Sequence, residues 1–288
     1  MGVFIGIISG LRSLGLGNLE GENLFEQPKK EETKPVKVPV APPKPQEKDL
    51  IYDKSFTCPV CNSSFTSKLM KTSKAKLIGT DQDLRAKYEG IDAAKYEVVM
   101  CPVCGYAALI RYFDNITTMQ AKQIKEKISQ AVRLTAYNDE VYSYAQAMER
   151  FKLALANAMV KRSKTSEKAY ICLKNAWLAR GYAESLKEKE ERDEELIAEL
   201  ECQENELMEN AYKGFKEARL TEPFPICGMN VITVDYLMAV MAVRFKEYDM
   251  AGKLLGSILT SSAANSRIKD KARDMKDQVV RELKKGRG

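Results

Sequence analysis

Cys58-Pro59-Val60-Cys61 is followed, after 39 intervening residues, by Cys101-Pro102-Val103-Cys104. A two-residue gap folds so that both sulfurs of a pair face one point. Backbone N–H groups after the first cysteine can then donate to the thiolates. Gly105, directly after the second pair, suits the left-handed backbone that closes such a turn. Asn62 follows the first pair, and asparagine is the best substitute in that conformation. Two matching pairs predict shared ligation of one metal ion by Cys58, Cys61, Cys101 and Cys104. Four thiolates close a tetrahedral shell and leave no position for water or substrate, so the expected metal is one structural zinc ion. Such an ion contributes on the order of 10 kcal/mol to folding in small zinc peptides.

Two other readings of the same spacing stand beside it. A rubredoxin-like iron centre uses the same donor set. Redox-active dithiols would need a cysteine at a helix start with a lowered pKa. The 39-residue insert exceeds the usual ribbon spacing and predicts a decorated fold between the pairs. Cys172 falls on an apolar helix face, Cys202 in a charged helix and Cys227 beside Gly228 in a turn, so none of these three is expected to be a ligand.

Around the cysteines, residues 50–115 read as a small β-containing, zinc-ribbon-like module. Tyr96, Val98 and Met100 alternate with Glu97 and Val99 and predict a half-buried strand before the second pair. Residues 116–288 read as a helical bundle, which makes the chain mainly α. Thr117-x-x-Gln120 is a capping-box start for a helix through Ile124, Ile128 and Val132. After a break at Tyr137-Asn138-Asp139, Val141, Tyr144, Met148, Phe151, Leu155 and Met159 share one face of the next helix. Ser163 to Ser166 separates it from a helix carrying Ala169, Cys172, Leu173, Ala176 and Trp177. A long helix runs through Leu196, Leu200, Leu207, Ala211 and Phe215 and stops at Pro223 and Pro225. Two more helices flank Lys246 to Asp249, and a basic one begins near Ser266.

Within that bundle, residues 236–259 resemble one degenerate tetratricopeptide-type hairpin. Ala239 and Ala251 would let its helices approach closely, with Phe245 to Asp249 as the turn. One unit is not an array, which wants about three, and an irregular bundle is the alternative. Residues 184–209 hold twelve acids against three bases, and residues 267–288 nine bases against four acids. Solvated helix faces explain both, with packing of the basic tail along the acidic helix as the livelier option.

Towards the N-terminus, residues 26–49 hold six of the ten prolines among lysines and glutamates, and read as an extended or disordered linker. Residues 1–25 are a short hydrophobic segment with Val3, Phe4, Ile7, Ile8, Leu11 and Leu14 at helical spacing, weakened by Gly2, Gly6, Gly10, Gly15 and Gly17. Residues 3–14 are expected to pack on the body or touch a partner or membrane surface weakly. Met1-Gly2 fails as an acylation signal because Gly6 stands where Ser or Thr is required.

Composition narrows the function classes. The 288 residues are 44% hydrophobic and 30% charged, with a net charge of +6. Four thiolates on Zn(II) would lower that to about +4, too little to argue for nucleic acid. The seven cysteines are odd in number and no secretory signal precedes them; paired C-x-x-C then reads as metal or redox chemistry in a reducing compartment, so a cytoplasmic protein is expected. The longest apolar run, Val3 to Leu11, is too short to span a bilayer. Histidine is absent. With it go the commonest general base and every Ser/His or Cys/His nucleophile pair. No phosphate-cradling glycine loop is present either, so no enzyme is expected.

Several stretches together resemble the bacterial domain-of-unknown-function 2225 family: Leu14-Gly15-Leu16-Gly17-Asn18-Leu19, Cys58-Pro59-Val60-Cys61, Cys101-Pro102-Val103-Cys104-Gly105-Tyr106-Ala107 and Ala176-Trp177-Leu178. The resemblance covers most of residues 50–260. It implies a cytoplasmic, Firmicute-type protein of unassigned activity, and so supports the architecture without supplying a mechanism.

The leading functional expectation is a non-enzymatic scaffold whose zinc module fixes the entry to a helical platform for a protein or peptide partner. A nucleic-acid-binding ribbon is the alternative, through Lys68, Lys71, Lys74 and Lys76 with Phe65 for stacking. Residues 50–120 carry nine bases and seven acids, which the metal site brings to zero, so nucleic acid is not favoured. A thiol redox or metal-sensing switch is the third reading.

Overall fold

The computed structural model describes residues 45–134 and 139–285. The hydrophobic segment 1–25, with the weak partner or membrane contact expected of residues 3–14, and the linker as far as residue 44 lie outside the described residues, as do Tyr137 and Asn138. The last residues of the predicted linker belong to the fold: Glu47–Leu50 form a 3-10 turn, and Leu50 is buried.

Three two-stranded antiparallel sheets follow in chain order. Strands β1 (Ile51–Thr57) and β2 (Ser64–Met70) pair from Ile51↔Met70 to Thr57↔Ser64. Strands β3 (Leu77–Thr80) and β4 (Ala86–Tyr88) pair with a bulge between Leu77 and Gly79. Strands β5 (Val98–Met100) and β6 (Ala107–Leu109) pair from Val98↔Leu109 to Met100↔Ala107. An isolated two-stranded hairpin is marginal in water. Each of the two cysteine pairs sits in the loop of one hairpin, the first between β1 and β2 and the second between β5 and β6.

The helices are α1 (Thr118–Ile124), α2 (Tyr144–Val160), α3 (Thr165–Lys187), α4 (Glu194–Thr221), α5 (Val231–Arg244), α6 (Tyr248–Thr260) and α7 (Ser266–Lys285). Their starts follow local chemistry. Thr117 and Ser143 each complete a capping box, with Gln120 and Gln146 reaching back to the cap N–H. Asp193 and Asn230 cap α4 and α5 through their side-chain oxygens. Helix α3 is apolar on two faces and is therefore central. Its Ala169, Leu173, Ala176 and Trp177 face the core of α4 to α7, while Ile171, Leu178, Ala179 and Ala183 face α2 and the β5–β6 hairpin.

Three expectations are corrected. The strand before the second cysteine pair is not half-buried. Tyr96 ends a 3-10 turn, and Val98, Val99 and Met100 are all buried. Val98 and Met100 pack towards α2, whereas Val99 packs among the cysteines, so the hairpin is a partition between two cores. The helix opened by Thr117 ends at Ile124 and widens into a π turn over Lys125–Ser129, short of Val132. Met159 is 63% exposed, because α2 approaches its neighbours through Ala147, Phe151, Ala154 and Ala158, a stripe rotated away from it.

The predicted hairpin at 236–259 is α5 and α6, with Ala239 and Ala251 fully buried. Its turn is shorter than expected, since Tyr248 and Asp249 already belong to α6. The basic α7 packs on α6 and α5.

Candidate metal centre

The two cysteine turns have one construction. The Cys58 N–H donates to the Ser63 carbonyl (2.9 Å) and the Asn62 N–H to the Cys58 carbonyl (2.8 Å). In the second turn the Cys101 N–H donates to the Tyr106 carbonyl (2.8 Å) and the Gly105 N–H to the Cys101 carbonyl (3.0 Å). Asn62 at φ 61° and Gly105 at φ 72° supply the left-handed residue that each turn needs, as their positions predict. Amides inside the turns point at sulfur. The Val60 N–H lies 3.4 Å from Cys58 Sγ, and the amides of Val103 and Cys104 are directed at Cys101.

The hairpins bring the pairs together. All four Sγ atoms lie within 4.8 Å of one another. Cys58 and Cys104 are 3.5 Å apart and Cys61 and Cys101 3.6 Å. A disulfide would need about 2.05 Å, and all four are free thiols. A tetrahedron of metal–sulfur bonds of about 2.3 Å has sulfur–sulfur edges of about 3.8 Å. The donor set and its spacing therefore fit one metal ion. Cys58, Cys101 and Cys104 are buried, and Cys61 is partly exposed.

Four thiols this close cannot all ionise without a cation. Hydrogen bonds from Cys104 and Cys58 hold the Cys101 thiol far below its ordinary range, near 2. Sharing with Cys101 pushes Cys58 up to about 12 and Cys104 up as well. A bound metal would supply the positive charge that lets all four ionise. The ligands come from four different points of two rigid turns, so the ion would tie the hairpins to each other.

Packing carries the site into the rest of the fold. Tyr106, fully buried, donates to the Phe113 carbonyl at 2.9 Å. Beside it Phe56 and Phe65 stack on each other and both meet Phe113 edge-on, with ring centroids 5.6–6.0 Å apart. From α2, the buried Asn157 amide donates to the Gly105 carbonyl (3.0 Å) and to Leu153 (2.9 Å). Sequence reasoning missed Asn157: it sits mid-helix, and only the fold reveals its partner 52 residues away.

The other predicted positions fall as follows. Phe65 has its ring in the aromatic cluster. Lys68 pairs with Asp53 (3.1 Å) and Lys76 with Glu89 (3.3 Å), Lys71 donates to the Asp49 carbonyl, and Lys74 is exposed. Cys172, Cys202 and Cys227 lie outside the four-sulfur cluster. Burial pushes the Cys172 thiol up to about 11, and Cys227 donates to the Ser166 carbonyl.

A second feature was invisible in sequence. The β3–β4 loop is clamped to the helices by charge: Asp83 accepts from Trp177 Nε1 (2.9 Å) and pairs with Arg180 (2.7 Å), and Arg180 also pairs with Asp81 and with Glu204 of α4. Trp177, with Leu84 and Arg85 of the same loop, lines a cleft of about 630 Å³ between the hairpins and α3.

No helix among the described residues is long and apolar enough to cross a membrane. Neither the curated proteins nor the solved structures include a match to this chain. Residues 51–279 match the model of one bacterial family, a span that takes in both cysteine turns and all but the end of the last helix. On that match the chain belongs to the family described as uncharacterized protein conserved in bacteria (DUF2225).

Proposed function

We propose that the protein is a non-enzymatic zinc protein that presents a helical platform to a protein or peptide partner in the cytoplasm. The observation that carries this reading is the closed, largely buried set of four thiols, tied to α2 through Asn157 and Gly105. A metal with four sulfur ligands has no open position for chemistry, so it holds shape. Zinc is the metal that an all-cysteine structural shell most often selects. Seven unpaired cysteines support a reducing compartment. The α5–α6 hairpin, closed through Ala239 and Ala251, supports a tetratricopeptide-like platform.

Affinity capture of the full chain from its native cell, with metal analysis of the same sample, tests both parts. One zinc per chain together with a stoichiometric protein partner is the expected result. Zinc without a partner overturns the scaffold and leaves the metal; a metal-free chain overturns the metal reading itself.

The partial exposure of Cys61 favours a second reading, a thiol switch. On that reading submillimolar oxidant releases zinc and alters the helices; unchanged zinc content under those conditions removes it.

A further inference from the structure

The cleft of about 630 Å³ is of the size that small-molecule sites use. Its wall is aromatic, with Tyr52, Tyr88, Tyr96, Tyr170 and Trp177 all lining it. Its charges, with one exception, are matched. Lys174 pairs with Glu97 at 2.7 Å and lies over the rings of Tyr170 and Trp177. Arg85 pairs with Asp81 and Glu184. Asp92 is held by the Ala94 N–H and the Tyr144 hydroxyl, and burial raises its pKa.

Arg111 is the exception. Among the described residues no carboxylate pairs with it. Its guanidinium donates to the Cys227 carbonyl and lies against the rings of Tyr112 and Tyr170, at 5.8 and 5.6 Å. Gly228, at φ 74°, permits this approach: a Cβ there would stand 2.8 Å from Arg111 Nη2. The arginine is exposed and held on one side, and among the described residues the Cys227 carbonyl is the one acceptor that engages its five donors. A guanidinium so held is preorganised for a planar anion and binds it bidentately.

We propose that this cleft binds a small organic anion with a flat apolar body, its carboxylate on Arg111 and its body against Tyr170 and Trp177. The geometry separates two roles. Arg111 selects charge at the rim, and the rings select a planar body inside. The site does not involve the four cysteines of the candidate metal centre, and it stands or falls independently of the scaffold reading.

Trp177 is the chain's single tryptophan and lines the cleft, so its fluorescence reports occupancy directly. The test titrates the zinc-loaded full chain with 2-naphthoate and with its uncharged isostere 2-naphthamide, by calorimetry and Trp177 quenching. One equivalent of naphthoate is expected to bind and quench, at least about tenfold tighter than the amide, the scale of one charge-assisted contact. Arg111→Gln is expected to abolish that preference while leaving amide binding in place, and Arg111→Lys to keep part of it. Ile110→Glu, at an exposed position on the same rim, places a competing carboxylate beside Arg111 and is expected to weaken naphthoate alone. Absence of saturable binding, equal affinity for acid and amide, or a preference that survives both Arg111→Gln and Ile110→Glu would overturn the proposal.

Discussion

Gly105 meets two constraints at one Cα. Its φ of 72° is left-handed, and a Cβ there would lie 2.7 Å from Val132 Cγ1. A left-handed alanine alone costs about 1–2 kcal/mol, and the clash adds to it. Gly105→Ala is therefore expected to destabilise the metal-loaded protein by about 2–4 kcal/mol, read by urea unfolding. The equivalent residue of the first turn, Asn62 at φ 61°, gives the contrast. Asn62→Gly keeps the backbone accessible and is expected to change stability by less than about 0.5 kcal/mol. Equal losses at both positions would mean that the side chain of Asn62, and not its backbone, matters. These two residues are also where sequence was most informative, because a left-handed turn end is a local property that Gly and Asn announce without reference to the fold.

Helix α2 shows what an element adds. Its start lay in a local signal that the sequence reading passed over: Ser143 and Gln146 cap each other within four residues, so Val141, expected on the helix, precedes it. Its inward face was not legible, because that depends on what it meets. Alanines at 147, 154 and 158 bring it against β5 and β6, and Met159 turns to solvent. The same approach buries β5 on both sides, which an alternating pattern could not foretell. Asn157, on this helix, holds the carbonyl of Gly105 and so joins the helix to the second cysteine turn. Its removal leaves that carbonyl buried without a donor, a loss of about 1–3 kcal/mol. Asn157→Ala is accordingly expected to lower stability by that amount and to speed transfer of the bound metal to a chromogenic chelator. Met159→Lys, one turn-fraction away on the exposed side, is expected to change neither measurably. Unaltered metal release in Asn157→Ala would confine the residue to helix packing.

At the scale of the molecule, the described residues form a set of adjoining cores at unequal distances from the four sulfurs. The cysteines sit in a core with Val60, Val99, Tyr106, Phe113 and Ile124. Across the β5–β6 partition lies the core of α2 and the outer face of α3. The largest core, of α4 to α7 with the inner face of α3, is beyond that. The cleft and Arg111 at its rim also belong to this scale, assembled from residues near 52, 88, 111, 170 and 177, which is why no motif marked them. Two marginal hairpins cannot hold the cysteine core unaided, whereas a helical core of that size has its own cohesion. Stripping the metal with a chelator should therefore loosen the protein in order of distance from the sulfurs. Hydrogen exchange is expected to show early loss of protection in β1, β2, β5 and β6, partial loss in α2, and retained protection in α5 to α7. Uniform exchange across all seven helices after chelation would mean that the cores unfold as one, and that the metal sustains the whole chain. No change anywhere would mean that the hairpins stand by packing alone, leaving the four sulfurs with no part in holding the fold.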